Sequence, residues 1–422
     1  MPHRTPSSRT RPFVFALRLL AVAAFLVASL SGGSASADTL RIGVAVPLSG
    51  PSARVGDEVA KVARWWARKA RTEHGLDVEV VVRDTTFKPA DAVAAVERLV
   101  LEDKVSAITG MHHSAQGIAV VPLAKRLGVP IVLMGSSSPK VMYGPDNINA
   151  KDFAWRASID DTIKGNLLGS FLVSVVATKF HGVQKVFYIG ENTDFAKDFL
   201  DATRSYVQKN GQGRLENVGS PLYFEPNAPT LISELARVRA ANPGIVVAAP
   251  SGGILGVFTN EFRELRVPAL DIGYAGEAAA QEYVDLTGDN RWGTTFIVYT
   301  TPGKAMTSLT LAWEKEFAKE IPDYPQPGPY SAMTWEALES IRHARTIAGS
   351  NDPKAINAAM PKVSFEGVRN RTVQFDATTH DLKDMFVAIA QYQQGSPGLG
   401  FRVVFPSQVA DAEFILPQWV RP

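Results

Sequence analysis

From residue 40 onward, short apolar runs alternate with stretches of helical period, and that alternation restricts the chain to few architectures. "LRIGVAV" (40–46), "VEVVVRD" (78–84), "VSAITG" (105–110) and "VPIVLMG" (129–135) are separated by helix-like segments at 55–70, 89–103 and about 117–126. Runs that are apolar in sequence, rather than at every second position, suit strands covered on both faces. Strand and helix repeated with short connections predict a doubly wound α/β lobe with a parallel sheet. The pattern then starts again with "KVFYIGE" (185–191), "GIVVAAP" (244–250) and "PALDIGY" (268–274), spaced by helical segments near 198–209, 229–241 and 255–265. A second lobe of the same class follows from this. Helical stretches at 308–320 and 330–349 flank a proline-rich loop, and strand-like "RTVQFD" (371–376) and "MFVAIAQYQ" (385–393) come last.

The length of 422 residues leaves room for two such lobes. The start of the chain belongs to neither. Arg4, Arg9, Arg11 and Arg18, with no acid among residues 1–37, accompany the apolar run "LLAVAAFLVASL" (19–30) and the small residues Ala35-Ser36-Ala37. That order reads as a secretory signal cleaved after Ala37. The apolar run is shorter than a bilayer span of roughly 20 residues, so an anchor is the weaker reading. Loss of those four arginines takes the formal net charge from +2 to −2. The mature chain then offers no electrostatic footprint for nucleic acid. It also has no cysteine, which excludes disulfides, thiolate metal sites, cysteine nucleophiles and a lipoprotein anchor. A free periplasmic protein is the expectation.

Ligands of open α/β sheets bind outside the carboxyl ends of the strands, where strand order reverses. The loops so placed are "PLSGPSARVG" (47–56), "GMHHSAQG" (110–117) and "GSSSPK" (135–140), all rich in Ser and Gly. The last two each precede a probable helix start, where unpaired N–H groups favour an anion. Ser114 and Ser137 would add hydroxyls there, although a serine in that place is also a common N-cap. Adjacent histidines point in different directions on a regular element, which argues against a joint metal site at His112 and His113. No G-x-S-x-G elbow, H-E-x-x-H or complete phosphate loop occurs, so no catalytic residue or cofactor is legible.

The stretches "LRIGVAVPLSGPSARVGDEVAKVARWWA", "ITGMHHSAQGIAVVPLAKRLGVPIVLMGSSSP" and "FEGVRNRTVQFD" resemble the type I periplasmic binding proteins, in particular the leucine/isoleucine/valine-binding branch serving ABC importers. The resemblance implies two doubly wound parallel-sheet lobes joined by a three-strand hinge. It places the first lobe at 38–157 plus 300–362 and the second at 158–299 plus 363–422. It implies a ligand carboxylate held by Ser114, Ser137 and the backbone of Ser136. It puts Phe195 where a tyrosine usually packs on the ligand, and Glu277 where an acid usually takes an ammonium group. His113 stands where small or polar residues are common, and could narrow or polarise the pocket. An exposed surface acid remains an equal reading of Glu277, and Trp65 and Trp66 read as the core and flank of a helix.

The functional expectation is a monomeric solute-binding protein, not an enzyme, needing neither metal nor cofactor. It would capture an amino acid or another small carboxylate between its lobes and present it to an ABC permease in the inner membrane. An aromatic acid, an amide or a urea-like solute is the alternative ligand class, and a periplasmic sensor subunit is the alternative role.

Overall fold

The computed structural model describes residues 1–3 and 39–420. The arginine-rich and apolar parts of the expected leader, and its cleavage site after Ala37, lie outside the described residues.

The first sheet contains β1 (Leu40–Val46), β2 (Val78–Asp84), β3 (Ala107–Gly110), β4 (Ile131–Leu133) and β5 (Ala154–Arg156) in the order β2-β1-β3-β4-β5. Every pairing in it is parallel. Between the strands run α1 (Ala53–His74), α2 (Pro89–Leu101) and α3 (Ser114–Leu127). β3, β4 and β5 are buried at every position, as strands covered on both faces must be. Pro89 opens α2, where its missing N–H costs nothing, and Gly75 and Gly128 close α1 and α3 in the left-handed conformation.

After β5 the chain crosses to α4 (Asp161–Phe171) and builds the second sheet. Its strands are β6 (Lys185–Glu191), β7 (Glu216–Asn217), β8 (Leu222–Phe224), β9 (Ile245–Ala249), β10 (Leu270–Tyr274) and β11 (Thr295–Val298). With them come α5 (Asp194–Asn210), α6 (Ile232–Ala240), α7 (Ile254–Glu264) and α8 (Gln281–Thr287). A second crossing leads to α9 (Thr310–Glu320), α10 (Pro329–Ala348) and α11 (Pro353–Ala359). Of these, α9 and α10 pack back on α1: Trp65 lies with its ring 5.8 Å from Trp313 and 4.5 Å from Trp335, and the Trp66 Nε1–H donates to Glu339 at 2.6 Å. A third crossing ends in β12 (Ala388–Tyr392) and β13 (Phe401–Phe405) on the second sheet.

Two details differ from expectation. The second sheet, ordered β13-β12-β11-β10-β9-β6-β7 with β8 beside β6, is mixed: β12 runs antiparallel to β11, and β13 antiparallel to β12. The short loop between β12 and β13 accounts for the second of these pairings, because a parallel neighbour needs a long crossover. The third crossing is not a regular strand either. "RTVQFD" forms only isolated bridges, Phe365 with Val373 and Phe375 with Leu382, and Arg156 bridges Asp381. Strand order reverses between β1 and β3 in one sheet and between β6 and β9 in the other, and the loops at these two points border one cavity.

Candidate functional site

The turn after β3 sets the first wall of the cavity. Gly110 (φ 127°) and Met111 (φ 58°) both take positive φ, and a methionine in that region stores strain that its surroundings must hold. They do so through the backbone of Met111. Its N–H donates to the Ala45 carbonyl at 2.9 Å, and its carbonyl accepts from the N–H groups of Gly135 and Ser136 and from the Ser136 hydroxyl. The turns after β3 and β4 are thereby sewn together. The chain then enters α3 at Ser114. His113 precedes the helix without capping it through its side chain, and its carbonyl accepts from Gln116 and Gly117. The N–H groups of Ser114 and Ala115, in the first turn of a helix, have no partner within it. Both residues line the cavity. The Ser114 oxygen accepts from the Ser137 and Ser138 N–H groups at 3.3 and 3.1 Å, which leaves its proton free to donate.

Ser136 departs from the expected role. Its N–H goes to Met111, its hydroxyl reaches the Met111 and His113 carbonyls at 3.0 and 2.8 Å, and its carbonyl accepts from Ser158. With those groups committed it braces the two turns and does not line the cavity. Ser137 does line it, and its carbonyl is held from behind by the N–H of Asp161 and by Arg156.

The second sheet supplies the opposite wall from the ends of β6, β9, β10 and β11. Phe195 is there, half-buried, with the Lys164 Nζ 5.2 Å from its ring centre. Glu277 is 6% exposed, which decides against a surface acid. Its Oε1 accepts from the Tyr330 hydroxyl at 3.1 Å and lies 3.5 Å from His112 Nε2, while Oε2 is buried without a hydrogen-bond partner. The rings of Phe87, His113, His112 and Tyr330 form a continuous pile, with successive centroids 4.1, 4.4 and 4.7 Å apart.

The cavity thus gathers Ser114, Ser137, His113, Phe195 and Glu277, and leaves Ser136 outside. It also contains groups not singled out from sequence: Lys164, Glu191, Ser251, Tyr299 and Tyr330. Glu191 ends a buried strand at a point of reversed strand order, so the rule that found Ser114 could have found it. Lys164 carried no signal, because a lysine one turn from Asp161 on a helix usually faces water.

Burial governs the charges here. It pulls the His112 imidazole down to about 4, and His113 well below its ordinary value with the help of its neighbour, so both are neutral at pH 7. It pushes the Glu191 carboxyl up to about 8 against the Ser251 hydrogen bonds, and raises Glu277 in the same direction. Burial alone would lower Lys164, but the Asp161 carboxylate, with Oδ1 2.5 Å from Nζ, outweighs it and holds the ammonium charged. The lining therefore presents helix-end N–H and hydroxyl donors, one compensated cation, two weakened acids and two neutral imidazoles. Among the described residues, no group of three or more His, Asp or Glu is placed to hold a metal ion.

Residues 39–396 match the family model described as periplasmic binding protein. The chain belongs to that family, as a type I member. It is similar to Leu/Ile/Val-binding protein homolog 6 of Brucella abortus (strain 2308), with 24% identity over 288 residues, 66% of this chain and 70% of that one. Its fold resembles that of the leucine binding protein LivK of Thermotoga maritima MSB8, with a TM-score of 0.74 at 20% identity over 86% of this chain and 97% of the other. A solute binding protein of an ABC transporter from Rhodopseudomonas palustris BisB5, in complex with 3,4-dihydroxy benzoic acid, also has a TM-score of 0.74, at 19% identity over 86% and 95%. The family is one of solute-binding proteins rather than enzymes. Among the described residues, no helix of this type I binding protein is long and apolar enough to cross a membrane.

Proposed function

We propose that this chain is the periplasmic binding subunit of an ABC importer, exported by a leader cleaved after Ala37, and that it closes on a small amino acid. The lobes would comprise 38–157 plus 300–362 and 158–299 plus 363–422. The observation that carries the reading is Glu277, buried across the cavity from the start of α3 with Oε2 unpartnered. A ligand carboxylate at the Ser114 and Ala115 N–H groups, with the Ser114 and Ser137 hydroxyls, answers one wall. Its ammonium at Glu277 answers the other, and Phe195 covers its body. Only a closed pair of lobes makes both sets of contacts, so the ligand favours closure by that difference in affinity. The permease would then recognise the closed form.

The pile of Phe87, His113, His112 and Tyr330 favours a second reading, an aromatic acid lying against the rings. The Rhodopseudomonas relative, with its bound 3,4-dihydroxy benzoic acid, supports that alternative. Calorimetric titration of protein unfolded and refolded to remove carried-over solute separates the two. Binding of amino acids, but not of the matching deaminated acids, is the expected result. Binding of benzoates or deaminated acids in their place would overturn the amino-acid reading.

A further inference from the structure

If the ligand is an amino acid, its two charged ends account for the helix-end N–H groups and for Glu277 Oε2, and they leave the imidazoles over. His112 is 5% exposed, lines the cavity, and has neither ring nitrogen in a hydrogen bond; His113 Nε2 is buried and unpartnered as well. A neutral imidazole carries one N–H and one lone pair. Left unmet in a buried site, each costs its full desolvation, so an aliphatic ligand body would leave this wall unsatisfied. The rings cannot turn away easily, since His112 is stacked within 5° of parallel on His113 and confined by Tyr330 on its other side.

We propose that the His112–His113 pair makes this site selective for an amino acid whose side chain bears a neutral group that both donates and accepts a hydrogen bond, a hydroxyl or a carboxamide. The inference rests on the amino-acid reading above and narrows it. The rings give a flat polar wall in which a hydroxyl or amide exchanges hydrogen bonds with imidazole. A methyl in the same place keeps the packing and forfeits those bonds. Sites built to hydrogen-bond a ligand group discriminate strongly against the analogue that lacks it.

The test is calorimetry on the stripped protein with two near-isosteric pairs, L-threonine against L-valine and L-asparagine against L-leucine. In at least one pair the polar member should bind about tenfold more tightly or better. In His112→Phe, which keeps a ring in the pile, that preference should shrink to about threefold or less. Equal or tighter binding of valine and leucine, or failure of both polar members to bind, would sink the selectivity and leave the amino-acid reading standing. Binding of 4-methylpentanoate, the deaminated leucine, with no amino acid binding, would sink both. Should His112→Phe not fold, the wild-type pairs decide alone.

Discussion

At the scale of single residues, the decisive property is how little water reaches the ionisable groups. Glu277 meets a tyrosine hydroxyl and an imidazole but no cation of its own, so a ligand ammonium would supply the missing countercharge. Glu277→Gln should therefore weaken amino-acid binding by about 2 kcal/mol or more, roughly thirtyfold, while leaving the melting temperature nearly unchanged. An unchanged affinity in the same titration would remove Glu277 from the site. The acids also predict a pH dependence. With Glu191 raised to about 8 and Glu277 shifted the same way, the free protein holds protons that an ammonium-bearing ligand would displace. The complex then binds fewer protons than the free form, so affinity should increase with pH until the acids of the free protein are ionised, near pH 8 for Glu191. Titration in buffers of differing ionisation enthalpy should register proton release. A flat profile, or proton uptake, would favour a ligand without an ammonium group.

At the scale of elements, the site depends on α3 starting close to the turn after β4. A Cβ at Gly117 would stand 2.7 Å from the Ser136 Cβ and 3.0 Å from Val141. Because Ser136 also holds Met111 and His113, relief by moving it would disturb both turns at once. Gly117→Ala should destabilise the fold by about 1–3 kcal/mol. It should also reduce ligand affinity about tenfold, through displacement of the Ser114 and Ala115 N–H groups. Denaturant melts and titration of the same variant measure the two effects. Loss of stability with affinity intact would mean that α3 does not position the ligand. Much at this scale was legible in sequence: the apolar runs, the Ser/Gly loops after them, and the helices that follow each mark their own position. The division of labour among Ser114, Ser136 and Ser137 was not legible. All three read as hydroxyls at a helix start, and only the direction of each hydrogen bond tells support from lining.

At the scale of the molecule, the first sheet is tied to two of the crossings through a buried charge. Arg156 ends β5 with its side chain 1% exposed, pairing with Asp160 at 2.7 Å and with Asp381 on the third crossing at 2.6 Å, and donating to the Ser137 and Ser138 carbonyls. It couples the cradle to the segment about which the lobes would close. Arg156→Met should cost about 3 kcal/mol or more of stability by stranding two carboxylates and two carbonyls, as read by urea denaturation. A change below about 1 kcal/mol would show the network to be dispensable. Farther out, Lys140 after β4 pairs with Asp194 and Asp198 of α5 at 3.1 and 3.0 Å, and Arg54 of α1 lies 3.6 Å from Glu282 of α8. These partly exposed pairs span the cleft on either side of the cavity. They are individually weak, as suits contacts that must part when the lobes open.

The sequence by itself determined the strand–helix alternation, the repetition of that pattern in two sheets and the loops that face the cleft. Each follows from local periodicity and from turn residues, which act over a few positions. Only the tertiary structure decided that Glu277 is buried, that Lys164 enters the cavity, that Ser136 braces it, and that the last hairpin makes the second sheet mixed. Those outcomes depend on desolvation and on contacts between segments that local periodicity does not link, such as Ser136 with Met111 and Glu277 with Tyr330. No local pattern encodes them, because the same lysine or glutamate is solvated and unremarkable until another part of the chain excludes the water around it.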